Sequence, residues 1–401
     1  MTDAVGVGEL LFNADRSWPY PTYDVIRAQG LTHSAWGPWV AADYETVRAV
    51  LRDHRFGVDG RVHPDHTPPE PNYFDGDRAV PEEAMLLSDP PAHTRVRRLV
   101  SKAFTPRAVA QLRAYMEEVT DALLDGLLER RDVDLVDEFA FPIPLAVICR
   151  ILGVPAEDRA LFQAWGEDLV PSLDPFQTDE QVAKARVADA EMTRYIDELI
   201  AQRRRAPTED LLSEMVAAEE EGDRLSEEEL LGNVSLIFGA GFETTVNLIG
   251  NGVLALLRHP AELARLRADP SLIPNAVNEL LRYDSPVQMT SRIALEPVDV
   301  AGHHFDQFDE IIVLLGGANR DPAVFERPDV VEVARANASE HVAFSSGTHY
   351  CLGAALARAE GEVAFGRLLE RATTIELRGE PEPRPFMVLH GLAKLPLTLS
   401  A

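Results

Sequence analysis

One unbroken helical pattern near the middle of the chain constrains its fold more than any other feature. Ser226 and Glu229 have the spacing of a capping box, and the pattern they open runs on until His259-Pro260. That is about 32 residues, or roughly 48 Å at 1.5 Å per residue. Its middle, Val234 to Gly241, is apolar or small on every side, the mark of a helix that crosses a core rather than lying on a surface. A chain that buries such a rod needs a large, mostly helical body around it.

The rest of the sequence supplies that body. Thr105-Pro106 reads as a cap followed by proline at the first helical position. Val109, Leu112, Met116, Val119, Leu123 and Leu127 then recur at spacings of three and four. Strand signals are fewer. Ser34 to Ala41 reads as a hairpin turned at Gly37-Pro38, and Arg292 to Val300, Ile311 to Leu315 and Met387 to Leu399 are β-rich. Between Gly57 and Pro91 runs a loop of about 35 residues holding seven prolines, and loops of that length are usually lids or binding loops. No repeat, low-complexity tract or Gly/Ser linker divides the chain. A length of 401 residues would allow two or three domains, but the expectation is a mainly α fold with a minor β region, residues 1–401 forming a single domain.

Composition excludes several classes. Hydrophobic residues make up 46% of the chain, enough for a large core. The net charge of -28 argues against nucleic acid and anionic membranes as partners, since both need basic surface. Cys149 and Cys351 are the only cysteines, too few to staple the chain and suited to a reducing cytoplasm. Met1 to Arg16 lacks the basic and apolar regions of a signal peptide, and the most apolar run, Phe139 to Cys149, is too short to span a bilayer. A cytoplasmic protein with no membrane anchor is expected.

Four constellations carry chemistry. In Phe344-Ser345-Ser346-Gly347-Thr348-His349-Tyr350-Cys351-Leu352-Gly353, two glycines let the backbone turn tightly and approach a flat ligand. The helical pattern from Ala354 to Arg358 then offers N–H groups and a dipole that favour a thiolate. On residues alone, Cys351 is such a thiolate, an inert structural cysteine, or the nucleophile of a Cys-His hydrolase with His349 or His341. Zinc is disfavoured because no second cysteine or histidine cluster completes four ligands. Glu279 and Arg282 share a helical face and can pair, as many exposed residues do. Ala240-Gly241-Phe242-Glu243-Thr244-Thr245 places small residues, an acid and two hydroxyls inside the long apolar helix. There glycine costs about 1 kcal/mol and threonine can bond back one turn. Either a deliberate distortion or close helix packing with a surface Glu accounts for it. In Asp89-Pro90-Pro91-Ala92-His93-Thr94-Arg95-Val96-Arg97, His93 and Arg97 lie on one face of a helix and could grip a carboxylate.

In this order the four resemble the motifs of the cytochromes P-450, haem-thiolate monooxygenases, of the soluble bacterial type. The decapeptide meets every fixed position of the family's F-x-x-G-x-H-x-C-x-G, through Phe344, Gly347, His349, Cys351 and Gly353, with Ser345 where bacterial members commonly have glycine. Glu279-Leu280-Leu281-Arg282 is similar to the E-x-x-R clamp, whose third member falls on Arg320. The 240–245 stretch resembles [AG]-G-x-[DE]-T-T, and the 89–97 stretch the propionate-holding D-P-P-x-H-x-x-x-R, with Arg292 and His349 as further propionate partners. Phe305 to Glu310 departs, standing where the family usually has Pro-Ala-Gly before a strand.

The resemblance implies the P-450 fold and haem b (iron protoporphyrin IX) with Cys351 as the metal ligand. It implies haem contacts from His93, Arg97, Arg292, Phe344, Gly347, His349 and Gly353, with Ala240 and Gly241 on the oxygen side. Glu243 and Thr244 would be the catalytic proton relay. One atom of O2 would enter a C–H bond or alkene of a medium-sized, largely apolar small molecule, for instance a natural-product intermediate. Candidate pocket residues are the Gly57 to Ser88 loop, Leu161 to Ile200, Val287 and Met289. No flavin or nucleotide fingerprint is present, so electrons come from a separate donor, expected to be a ferredoxin with its reductase. Arg95, Arg97, Arg98, Lys102, Arg107 and Arg113 form an acid-free stretch suited to docking an acidic ferredoxin, and a monomer is expected. The rivals are a non-catalytic haem-binding or sensing protein and the haem-free hydrolase.

Overall fold

A computed structural model of the chain describes residues 10–11, 14–34, 37–64, 84–175, 177–217 and 225–401. Its helices, in chain order, are α1 (Tyr20–Gln29), α2 (Tyr44–Arg52), α3 (Ala92–Val100), α4 (Pro106–Arg130), α5 (Pro142–Leu152), α6 (Arg159–Leu169), α7 (Asp179–Arg205), α8 (Leu211–Ala217), α9 (Glu227–Arg258), α10 (Pro260–Ala268), α11 (Ile273–Tyr283), α12 (Leu315–Ala318) and α13 (Ala354–Arg371). The long helix, α9, begins where expected. Ser226 Oγ accepts from Glu229 N at 3.1 Å, and Glu229 Oε2 accepts from Ser226 N at 2.9 Å. It stops at His259 because Pro260 cannot continue the bonding ladder and instead opens α10. From Gly232 to Leu256 every residue is buried except Gly239, Ala240, Gly241 and Thr244.

α13 lies along α9 and runs parallel to it. A Cβ on Gly252 would stand 2.5 Å from Phe365 Cζ, and one on Gly361 3.3 Å from Leu248 Cδ2. Any side chain at 252 would push the helices apart. The pairs 361/248 and 365/252 both advance by four residues. Two turns further back, Gly353 is therefore level with Ala240, which sets the cysteine loop opposite the middle of α9.

Five strands, β1 (Thr32–His33), β2 (Trp39–Ala41), β3 (Phe56–Gly57), β5 (Met289–Ala294) and β8 (Glu310–Leu314), form the main sheet in the order β1-β2-β8-β5-β3. Only β2 and β8 pair in parallel. A three-stranded sheet joins β4 (Asp132–Asp134), β12 (Pro396–Ser400) and β9 (Thr374–Leu377), and two hairpins pair β6 (Val298–Val300) with β7 (His303–Phe305) and β10 (Glu382–Pro383) with β11 (Leu392–Lys394). The expected 34–41 hairpin exists with strands at 32–33 and 39–41, and Trp36 lies outside the described residues. The expected 292–300 strand is two strands, split at Leu295–Pro297. In the departing 305–310 stretch the turn survives. Phe308 takes φ +75°, its N–H bonds Ala294 O at 2.8 Å, and Asp309 Oδ2 accepts from Asp306 N at 2.9 Å.

On α4 the buried stripe is Val109, Met116, Thr120, Leu124 and Leu127. Of the expected stripe, Leu112, Val119 and Leu123 are only half-buried and pack along the edge of the same core, while Thr120 and Leu124 take the fully buried places.

The Glu279–Arg282 pair is fully buried, with Arg282 Nε 2.7 Å from Glu279 Oε2. Its third member is Arg335 rather than Arg320. Arg335 Nε donates to both Glu279 oxygens at 3.0 Å. Arg320 is turned away: it donates to Tyr283 O at 2.8 and 2.6 Å and lies over the rings of Tyr20 and Tyr283. Only the backbone next to it, Asn319 O, reaches Arg282, at 3.0 Å.

Candidate active site

The cysteine loop is closed by a bond from Cys351 N to Phe344 O at 2.9 Å. Gly347 sits at φ +70°, and a Cβ there would be 2.3 Å from Leu51 O, so this glycine serves both the turn and a close backbone approach. Ser345 also adopts positive φ, +61°. The loop keeps the left-handed conformation that a glycine would enter freely, at a cost of about 1–2 kcal/mol. Phe344 is buried under the Arg358 guanidinium, 4.6 Å from the ring centre. Cys351 keeps accessible surface, yet burial pushes its thiol up, with the Gly353 N–H and the Arg97 and Arg358 cations acting the other way. Its sulfur therefore faces an internal space rather than the outer surface. A positive charge or metal on it would restore the thiolate.

Beside His349 of the loop the fold gathers three basic groups from two further elements. The His93 ring from α3 lies 4.4 Å from that of His349, tilted by 48°, and Arg97 Nη2 donates to Tyr350 O at 2.7 Å. Arg292 from β5 donates to Ser291 O, Thr290 Oγ1 and, at 3.4 Å, Ser345 Oγ. No carboxylate is among these partners of Arg97 and Arg292. Burial lowers Arg292 to about 10, with Asp89 opposing, and lowers His93 to about 4, helped by the His349 and Arg97 charges. His93 Nδ1 is buried without a partner. Asp89 is the one acid at this cluster. It accepts from Val58 N and Asp59 N at 3.0 Å and lies 3.4 Å from His349 Nε2. Burial works against its charge, but His349 and those two N–H groups hold it below the ordinary carboxylate range. Two guanidiniums with no carboxylate among their hydrogen-bond partners, beside two imidazoles and a sulfur facing inward, fit a flat dianionic iron porphyrin.

On α9, Ala240 and Thr244 share the face that retains accessible surface. Thr244 Oγ1 donates to Ala240 O at 3.3 Å. Glu243 diverges from Thr244. Its Oε1 accepts from Arg384 and, at 3.4 Å, from Asn247 Nδ2, while Oε2 is buried without a partner. Burial raises its pKa, against Arg384 and Asn247. On α13, Glu360 is buried and raised to about 8, with Thr245 acting the other way.

Sequence reading did not find Arg384, Asn247, Glu360 or Asp89 as members of this cluster. Asn247 was within reach as the residue four after Glu243, and Asp89 lay inside a quoted motif. Arg384, far along the chain, had no local signal. Of the pocket candidates, residues 65–83 and 176 lie outside the described residues. The basic stretch is acid-free only along the chain, for Arg95 pairs with Glu229 and Arg113 with Glu362. Arg98, Lys102 and Arg107 remain exposed.

A family model described as Cytochrome P450 matches residues 39–399. The chain is 42% identical over 391 residues to Cytochrome P450 monooxygenase PikC of Streptomyces venezuelae, covering 94% of this chain and 90% of that one. It is 40% identical over 379 residues to Polyketide biosynthesis cytochrome P450 PksS of Bacillus subtilis, covering 94% and 91%. The crystal structure of P450BioI in complex with hexadec-9Z-enoic acid ligated acyl carrier protein superimposes with a TM-score of 0.88 at 36% identity, covering 98% of this chain and all of that one.

Proposed function

The chain belongs to the cytochrome P450 family, and on that premise we propose that it is a monooxygenase acting on a medium-sized, largely apolar substrate. It is an oxidoreductase with a haem-thiolate cofactor, which uses O2, a substrate and a redox partner. When bound, haem supplies activation of O2 with two electrons and two protons, one oxygen atom entering the substrate and the other leaving as water. Haem b is the form we propose, with Cys351 as its iron ligand. His93, Arg97, Arg292 and His349 would hold its propionates, and Phe344, Gly347 and Gly353 would shape the loop beneath it. Ala240, on the accessible face of α9, would leave room for it, with Gly241 beside it letting α9 approach α5, since a Cβ there would lie 2.8 Å from Ile148 Cδ1.

Thr244 and Glu243 divide the handling of protons. Thr244 presents a hydroxyl to the accessible face of α9, and Glu243, with its pKa raised by burial, holds a proton closer to neutral pH than an ordinary carboxylate does. The observation that carries the proposal is Arg292, a guanidinium 4% exposed whose hydrogen-bond partners include no carboxylate, beside the inward-facing Cys351. A Cys-His hydrolase fits poorly. His349 is directed to Asp89 and His93, and His341, lowered to about 3 by burial, is bonded by Ala343 N. For a non-catalytic haem sensor, the hydroxyl and acid on α9 would have no use.

A single globular unit acting as a cytoplasmic monomer is part of the same reading; among the described residues no helix is long and apolar enough to cross a membrane. The acyl chain held by the solved P450BioI complex and the polyketide role in the name PksS support a natural-product intermediate as substrate. A ferredoxin with its reductase is the proposed donor, docking on Arg98, Lys102 and Arg107.

The test is turnover under labelled O2 with a ferredoxin, its reductase and a panel of apolar acids and lactones, hexadec-9Z-enoic acid first. A product carrying one labelled atom is expected. Lys102→Glu and Arg107→Glu should slow reduction by about tenfold at low salt and converge on wild type at high salt. Haem that is reduced and takes up O2 without any labelled product across the panel would favour the sensor. Reduction unchanged at low salt would move the docking face elsewhere.

A further inference from the structure

A second buried cluster lies away from the cysteine, around His390. The segments 286–290 and 388–390 hold one another by a very short ladder: Gln288 N donates to Val388 O at 2.9 Å, His390 N donates to Pro286 O at 2.8 Å, and Val287 bridges Leu389. So short a pairing is marginal alone. It is seated on α9 one to two turns beyond Thr244, where Asn251 Nδ2 donates to His390 O at 3.0 Å and Gly391 packs so closely on Asn247 that a Cβ would lie 1.9 Å from Oδ1. Val287 and Val388 retain accessible surface there.

The His390 ring stands 3.1 Å from Asp284 at the end of α11. Asp284 Oδ1 also accepts from Tyr20 on α1 at 2.6 Å, and Gln288 Nε2 donates to Ser285 O and Tyr20 Oη. The charged or titratable groups facing His390 are Asp284, Tyr20, Arg320 (3.8 Å over the Tyr20 ring), and Asp15 with Arg16 from the N-terminal segment. The wall is tied elsewhere too: Asp174 Oδ2 accepts from Met387 N and, at 3.3 Å, from Val388 N, Gly316 N donates to Gln288 O at 3.1 Å, and Met289 and Thr290 pair with β8; among these ties the Asp284–His390 pair is the one built on a histidine.

We infer that His390 is a positioning residue, whose ion pair with Asp284 ties the 388–391 segment, and through the short ladder 286–288, to the end of α11 as one wall beside the accessible face of α9. That the wall contacts substrate rests on the monooxygenase reading; that the ion pair holds it does not. Burial disfavours the imidazolium, but Asp284 outweighs burial and His390 lies above its ordinary 6.5. Asp284 in turn lies below the ordinary carboxylate range, despite burial, because His390 and Tyr20 act on it. A group raised in the folded state contributes its full stability below about pH 6.5 and loses it as pH rises through the folded value. The wall should therefore be tight in mild acid and loosen in base.

Hydrogen exchange of the haem-loaded protein between about pH 6 and 9, corrected for intrinsic exchange, tests this. In wild type, peptides covering 284–292 and 385–392 should lose about tenfold in protection as His390 deprotonates, while a peptide within α13 does not change. His390→Arg, a permanent cation, should keep protection across the range, and Asp284→Asn should be loose throughout. Wild type and His390→Arg with the same pH profile, or flat protection in wild type, would overturn the inference. Neither result depends on turnover.

Discussion

Thr244→Ala is expected to keep haem content and substrate affinity near wild type while cutting product formed per reduced cofactor consumed by about 10²-fold or more. The missing electrons should appear as hydrogen peroxide. A positioned proton donor contributes about 10²–10⁴-fold, or roughly 3–5 kcal/mol of barrier, and the Thr244 hydroxyl is the polar side chain on the accessible face of α9 between Gly239 and Thr244. Its bond to Ala240 O is long, 3.3 Å, so removing it costs the helix little and the loss should fall on chemistry. Product, peroxide and cofactor measured in one reaction decide the matter. Full coupling in Thr244→Ala would transfer the proton step to a hydroxyl of the substrate itself or to a water.

Glu279→Ala should destabilise the protein by about 3–5 kcal/mol, because it strands two buried guanidiniums, Arg282 and Arg335, without their carboxylate. The backbone would lose a partner too, since Glu332 N donates to Glu279 Oε1 at 2.9 Å. Denaturant unfolding of the haem-loaded protein measures the loss. A double-mutant cycle separates the third members. Glu279 and Arg335 should couple by more than about 1 kcal/mol, and Glu279 and Arg320 by less than about 0.5 kcal/mol. Equal coupling would contradict the contacts described above.

What the sequence made legible was local. The caps at Thr105 and Ser226, the extent of α9, and the helix carrying His93 and Arg97 follow from hydrogen-bonding and spacing rules that act within a few residues. So does the glycine-punctuated cysteine loop. Contacts between distant segments were not legible. Nothing near Arg335 or Arg384 marks them as partners of Glu279 and Glu243, and the Asp284–His390 pair joins positions 106 residues apart through the packing of three elements. Arg320 follows Asn319, whose carbonyl reaches Arg282, but its own side chain stacks on aromatic rings. Glu243 and Thr244, adjacent in sequence, face different surroundings, since neighbouring helical residues point about 100° apart.

Cys351 as an iron-bound thiolate is the claim on which the functional account depends. Its most direct test is the visible spectrum of the reduced carbon monoxide complex in wild type and Cys351→His. Wild type should show the strongly red-shifted Soret band of a thiolate ligand. The variant should lose either the haem or that shift, while replacement of the buried Cys149 by Ala leaves the band in place. A red-shifted band that persists in Cys351→His would contradict the assignment.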